Sequence, residues 1–164
     1  MLAHPFKNKH LSTPKQARNA VLILTLANIL AFIDRQIPAM LIAPIKQDFS
    51  LSDSQIAVLG GAAFSLFYAL MALPIGYAVD HIKRTRVLGT GIFLWSFMTV
   101  SAIFTNTFSQ LFGARIGVSA GEAVVAPTTV SLIGDYYPTN KRGTSMAIIT
   151  SGVYLGIGIS LMGG

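Results

Sequence analysis

The sequence predicts an all-α protein, a bundle of membrane-spanning helices, and three observations lead to this prediction. Of its 164 residues, 52% are hydrophobic and only 11% are charged, whereas soluble domains carry about 25% charged residues. The mean hydropathy is +0.62. Five apolar segments also follow one another, at about residues 20–43, 55–79, 87–104, 108–132 and 143–164. Segments of about 20 residues cross a bilayer as helices, because a helix pairs its own backbone polar groups.

The polar stretches between the segments support these limits. Pro44 is expected to end the first span. Ser52 with Gln55 three residues later is typical of a capping box at the start of the second span. The residues at 105–107 indicate a tight turn between the third and fourth spans, and Pro138 indicates a break after the fourth.

The distribution of Lys and Arg predicts the orientation. Residues 1–19 form a basic tail with four of them, the stretch after the second span has three, and the stretch after the fourth has two, whereas Lys46 is alone on the opposite side. Because cytoplasmic loops are enriched in Lys and Arg, we expect a multi-pass plasma-membrane protein with a cytoplasmic N-terminus, in the inner membrane if the source is bacterial. The first apolar segment is too long for a cleavable signal peptide. The chain reaches Gly164 within the fifth span, so we expect residues 20–164 to be a transmembrane domain that is incomplete at its C-terminus.

Several classes of function find no support in the sequence. It has no cysteine, and its three histidines, at positions 4, 10 and 81, form no cluster, so we expect no metal and no cofactor. The net charge of +6 is not spread over a basic face with interleaved aromatic residues, so nucleic acid is not expected as a partner. The sequence shows no nucleophile–base pair and no phosphate-binding loop, so we do not expect an enzyme.

Small residues recur every four positions on two of the spans. They are Gly113, Gly117 and Gly121 on the fourth span, and Gly152 and Gly156 on the fifth. Small residues at this spacing let helix backbones approach closely in a membrane. We interpret these glycines as packing positions with no chemical role.

Four charged residues lie inside predicted spans, namely Asp34, Arg35, Arg115 and Glu122. A charge at mid-membrane costs about 2.5–3.5 kcal/mol even on insertion scales, so such residues usually face a bundle interior or a hydrated path. Arg115 and Glu122 are seven residues apart and share a helix face, and Asp34 is expected at a depth between them. The four charges therefore predict one cluster at the membrane midplane. Burial favours the protonated form of a carboxyl group, whereas a neighbouring guanidinium favours the charged form, so such a cluster suits proton binding. The alternative is a structural set of salt bridges.

The stretch after the second span carries a family resemblance. Gly76, Asp80, Arg84 and Arg86 resemble the signature loop between helices two and three of the major facilitator superfamily, although Lys83 stands where a glycine is usual. Arg115 with the Gly121-Glu122-Ala123 sequence is similar to the family's fourth helix. Asp135 and Arg142 lie in a stretch similar to its next loop, and Asp34-Arg35 on helix one is most like the Spinster branch.

This resemblance implies the first five helices of the N-terminal half of a transporter with two six-helix halves. It implies a proton-coupled secondary active transporter that moves a small organic, amphiphilic or anionic solute by alternating access, together with a missing C-terminal half. Asp34, Arg35, Arg115 and Glu122 would line the cavity and couple protons. A cytoplasmic gate would consist of Gly76, Asp80, Arg84, Arg86, Asp135 and Arg142. The alternatives are a non-transporting scaffold or receptor with the same fold, and another branch such as the anion:cation symporters.

Overall fold

The computed structural model describes residues 13–163, and all its regular elements are helices. The first four are α1 (Pro14–Met40), α2 (Ile42–Asp48), α3 (Asp53–Ala57) and α4 (Ala63–His81), with a π-helical turn at Val58–Ala62 joining α3 to α4. The others are α5 (Arg84–Ala102), α6 (Phe108–Glu122), α7 (Val125–Tyr136) and α8 (Thr139–Gly163). The all-α prediction is thus confirmed. Residues 1–12 of the predicted tail, and Gly164, lie outside the described residues.

Four helical stretches within residues 13–163 are long and apolar enough to cross a membrane. They are Pro14–Met40, Asp53–His81, Phe108–Tyr136 and Thr139–Met162. Helix α5 occupies the position of the third predicted span and has 19 residues, but the two arginines in its first turn reduce its apolar content. The five-span arrangement therefore stays a prediction, while a multi-pass membrane protein is supported.

Prolines break two of the spans, and not where the sequence analysis placed the ends. Helix α1 ends at Met40, and Pro44 lies in the first turn of α2. A proline lacks the N–H that would bond the carbonyl four residues earlier, which is that of Met40, and its ring clashes with it. The fourth predicted span is likewise split into α6 and α7, because Pro127 cannot bond the carbonyl of Ala123. The breaks thus precede the prolines by about one turn.

The basic stretches are shorter loops than expected. Arg84 and Arg86 belong to the first turn of α5, and Arg142 to the first turn of α8. The connections between the helices are only residues 82–83 and 137–138. We call the end of the bundle where these residues lie the basic end. Residues 14–19 of the predicted tail are also helical, because Thr13 caps α1 with a capping box.

Two helix pairs form the framework of the bundle, α1 with α8 and α5 with α6, and α4 packs against α6. A Cβ on Gly156 would lie 2.6 Å from the carbonyl oxygen of Ile29, and one on Gly152 2.7 Å from that of Thr25. Helices α1 and α8 therefore touch along their backbones at these glycines. Leu24 and Trp95 are both buried and belong to the apolar core between the two helix pairs.

The glycine ladder on α6 makes this close approach at two positions of three. A Cβ on Gly121 would lie 2.6 Å from the amide nitrogen of Trp95, and one on Gly117 2.5 Å from Met98. Gly113 has nothing within 4 Å of that position among the described residues, so its role in helix packing stays a prediction. With 3.6 residues per turn, each step of four residues rotates about 40° around the axis, and Gly113 has turned away from α5.

Candidate functional site

The buried charges of α1 and α6 meet inside the bundle. Arg35 Nε donates to Glu122 Oε2 at 2.7 Å. The Glu122 side chain is fully buried, and the Arg35 side chain is 28% exposed. The guanidinium thus neutralises a carboxylate that has no contact with solvent. Gly117 and Gly121 bring α6 against α5, and α4 is the other main neighbour of α6. Glu122 therefore reaches α1 mainly through Arg35.

Aromatic rings surround the guanidinium of Arg35. Its Cζ lies 4.8 Å from the ring centre of Phe32, 5.0 Å from that of Phe64 and 4.9 Å from that of Tyr68. Arg115 Cζ also lies 5.0 Å from the Phe64 ring centre. Ring faces attract cations, and more strongly where water is excluded. Phe64 on α4 thus joins the two arginines of the cluster.

Asp34 has a different partner from its neighbour in sequence. Its Oδ2 accepts a hydrogen bond of 2.8 Å from the hydroxyl of Thr99 on α5. Asp34, Thr99 and Arg115 line a cavity of about 550 Å³, whose other walls are mostly apolar residues of α1, α2, α5 and α6. The cavity extends away from the basic end, to Asp48 and Thr105. It offers the carboxylate of Asp34 and the guanidinium of Arg115 on its walls, and a second carboxylate, that of Asp48, at the end away from the basic end.

Four buried side-chain atoms in residues 13–163 have no hydrogen-bond partner, and all four lie on α6 and α7. They are Arg115 Nε, Glu122 Oε1 and the hydroxyls of Thr128 and Thr129. Buried polar groups are usually paired, so unpaired ones need a reason. The second oxygen of Glu122 can thus accept a hydrogen bond from a further donor or take up a proton.

The six residues expected at the gate lie at the basic end, but they do not form one network. Arg84 forms an ion pair with Asp135, which connects α5 to α7. Arg142 donates instead to the backbone carbonyl oxygens of Tyr137 and Gly134, at 2.9 and 2.7 Å.

The other three gate positions have few contacts. Within the described part of the chain, Asp80 and Arg86 form no ion pair and are exposed. Gly76 has nothing within 4 Å of where a Cβ would lie. Of the six expected gate residues, only Arg84 and Asp135 form an ion pair within the described part of the chain.

Sequence reasoning missed three side chains of the site: Phe64, Tyr68 and Thr99. Each lies in an apolar segment, where an aromatic residue or a threonine is ordinary. Phe64 and Tyr68 are four residues apart on α4 and stack with ring centres 6.0 Å apart. This spacing places both on one helix face, which was the one available signal.

Comparison with known proteins agrees with the geometry. The sequence profile of the Major Facilitator Superfamily matches residues 24–164. An MFS-type efflux pump of Mycolicibacterium smegmatis is 32% identical over 151 residues, covering 92% of this chain and 35% of the pump. A sphingosine-1-phosphate transporter, SPNS2, of Xenopus tropicalis is 32% identical over 145 residues, covering 87% of this chain and 28% of that protein.

A solved structure gives the same result for the fold. It is a bacterial homolog to the human lysosomal transporter Spinster, in an inward-facing and occupied conformation. It superposes with a TM-score of 0.80 and 40% sequence identity, over 85% of this chain and 30% of that one. This chain spans about a third of the length of the curated relatives that it matches. It belongs to the major facilitator superfamily, in the Spinster-like branch.

Proposed function

We propose that this chain forms part of a proton-coupled secondary active transporter that works by alternating access. The observation that carries the proposal is the buried pair of Arg35 and Glu122, at 2.7 Å in the interior of the bundle. A buried ion pair is weak evidence for stability alone, and ionisable residues inside a membrane bundle usually serve transport or proton relay. The coupling residues are Asp34, Arg35, Arg115 and Glu122.

The pair can couple proton binding to a change of shape. While Glu122 is charged it holds Arg35, and with it α1, against α6. A proton on Glu122 removes the charge that Arg35 neutralises, and releases the guanidinium to a substrate or to the aromatic rings around it. Because a ligand shifts an equilibrium only through differential affinity for the two states, a proton that breaks this pair shifts the bundle between conformations.

The substrate class follows from the cavity. A chamber of about 550 Å³ with apolar walls, Asp34 and Arg115 suits an amphiphilic solute with a charged group. Relatives named as transporters of sphingosine-1-phosphate and, probably, L-galactonate support a small organic anion or amphiphile. An anion:cation symport mode is the competing proposal.

We further propose that the basic end is cytoplasmic, in the plasma membrane, and that Gly76, Asp80, Arg84, Arg86, Asp135 and Arg142 form a gate there. In the inverted-repeat transporters, access alternates by rocking of one half against the other. We therefore expect the chain to act with the rest of the transporter, including its C-terminal half, which makes up about two thirds of the length of the relatives. Below, "the complete transporter" means this chain together with that remaining part.

The test is transport into vesicles under an imposed pH gradient. The complete transporter is reconstituted, and uptake of a sphingoid phosphate or a sugar acid is followed with and without the gradient. We expect uptake to depend on the gradient, and the internal dye pyranine to report proton movement with the solute. A scaffold or receptor with this fold would give no uptake, and neutral replacements of its buried charges would leave its function intact.

A further inference from the structure

A groove between α1 and α8 at the basic end combines two cations with apolar walls. It has a volume of about 490 Å³ and is lined by residues from both helices and from the connection before α8. Arg18 and Lys141 lie at its upper part, and Val21 and Leu22 lie one turn further along α1. Both helices begin at the basic end, so depth in the membrane increases along both. The groove is thus basic at the surface and apolar below.

The two cations are available to a ligand. Both side chains are exposed, and in residues 13–163 neither takes part in an ion pair. Lys141 lies in the first turn of α8, where the helix dipole adds a partial positive charge. Tyr137 and Thr144 also line the groove, and each has a hydroxyl group that can donate a hydrogen bond to an anion.

The apolar part of the groove continues onto exposed apolar surface. Leu22 is 60% exposed and Ile148, which lies about two turns below Lys141, is 49% exposed. Side chains exposed to this extent can contact an acyl chain. A soluble phosphate would use only the cations, whereas a lipid would use the cations and this apolar surface together.

We propose that this groove is a binding site for an anionic phospholipid, with the phosphate between Arg18 and Lys141 and an acyl chain along Leu22 and Ile148. Charge complementarity selects the head group, because basic pockets between helices at the cytoplasmic side attract anionic lipids. The site is separate from the buried charge cluster. It does not depend on proton coupling or on transport.

The test is lipid binding to the purified chain in detergent, measured by native mass spectrometry with phosphatidylglycerol and, for comparison, phosphatidylcholine. We expect preferential retention of phosphatidylglycerol. Arg18→Gln or Lys141→Gln should each weaken its binding about fivefold, and the double variant about 25-fold, since a cation near the surface contributes about 1 kcal/mol. The matched control is Lys83→Gln, an exposed cation at the same end that does not line the groove, and it should change binding by less than about twofold.

Two further arms separate the explanations. Thr144→Phe fills the groove and leaves both cations, so it should also weaken binding, with circular dichroism confirming that the helices remain. Glycerol 3-phosphate, which has the charge without the acyl chains, should fail to displace the lipid. Equal binding to the double variant and the parent chain, an equal loss in Lys83→Gln, or displacement by glycerol 3-phosphate would each overturn the proposal.

Discussion

Arg35 on α1 and Glu122 on α6 are 87 positions apart in the chain, yet Arg35 Nε and Glu122 Oε2 lie 2.7 Å from each other in the bundle interior. The two helices make few other contacts with one another. The pair therefore connects the packed unit of α1 and α8 to the packed unit of α5 and α6. A connection that a single proton can remove is a suitable switch between two arrangements of these units.

Removing one member of the pair should cost more than removing both. Arg35→Gln leaves Glu122 buried beside no cation on α1, and breaking a buried pair this way costs about 3–5 kcal/mol. The double variant Arg35→Gln with Glu122→Gln should recover most of that loss. Thermal unfolding in detergent, followed by circular dichroism, measures both. Arg86→Gln, at an exposed position, is the control and should unfold with the parent chain; additive losses in the double variant would mean that the two residues do not act as a pair.

Thr99 should matter through its hydroxyl group alone. Thr99→Val keeps the shape of the side chain but removes the donor to Asp34 Oδ2, and a hydrogen bond to a charged group is worth about 1.5–3 kcal/mol. We expect the pH dependence of transport to be displaced by roughly one pH unit or more in this variant and to return with Thr99→Ser. Thr25→Val is the matched control, since the Thr25 hydroxyl donates to the carbonyl of Val21 in its own helix. An unchanged pH profile in Thr99→Val would remove Thr99 from the coupling site.

Much of this site could be predicted from the sequence, because a charge in an apolar segment is visible by itself. Asp34, Arg35, Arg115 and Glu122 stood out on that ground, and the structure brings them together. Their pairing could not be predicted, because it depends on how far α1 and α6 rotate about their axes. Helical spacing suggested a common depth for three of the charges but did not show that Glu122 pairs with Arg35 on another helix.

The remaining differences have local causes. Thr99 and Phe64 carry no signal in an apolar segment, so their roles appear only when the helices are packed. The helix ends differ from the predicted ones because a proline cannot donate a hydrogen bond to the carbonyl four residues earlier, which is that of Met40 or Ala123. They also differ because arginines can lie in the first turn of a helix. Gly113 has the same four-residue spacing as Gly117 and Gly121, but it lies on a part of the α6 surface that is turned away from α5.

The contact of α1 with α8 should be sensitive to any side chain at Gly156. Gly156→Ala places a methyl group 2.6 Å from the Ile29 carbonyl oxygen, which is backbone and cannot move aside freely. Overpacking of this kind costs about 1–3 kcal/mol. Gly158→Ala is the control on the same helix, since nothing lies within 4 Å of its added carbon. The midpoint of thermal unfolding should be lower in Gly156→Ala than in Gly158→Ala. Equal midpoints would show that the helices do not touch there in the membrane.

The basic end should control the side of the membrane to which the cavity of the complete transporter opens. Asp80 forms no ion pair within the described residues and is exposed, so it is free to contact another part of the complete transporter. Asp80→Asn should alter the balance between inward-open and outward-open states. Because the chain has no cysteine, single cysteines can report the accessibility of each side to a membrane-impermeant thiol reagent. Asp53→Asn, at an exposed carboxylate away from the basic end, is the control and should be labelled like the parent transporter. If Asp80→Asn is also labelled like the parent, Asp80 is not part of a gate.

Proton movement per transported solute in Glu122→Gln tests the central claim most directly. The amide keeps the size of the side chain but cannot take up a proton, so it removes the exchange and leaves most of the packing. In vesicles with internal pyranine, we expect the variant to lose gradient-driven uptake and the accompanying proton flux, while Asp53→Asn, at an exposed carboxylate that does not line the cavity, keeps both. Gradient-driven uptake and proton flux at the parent rate in Glu122→Gln would contradict the account.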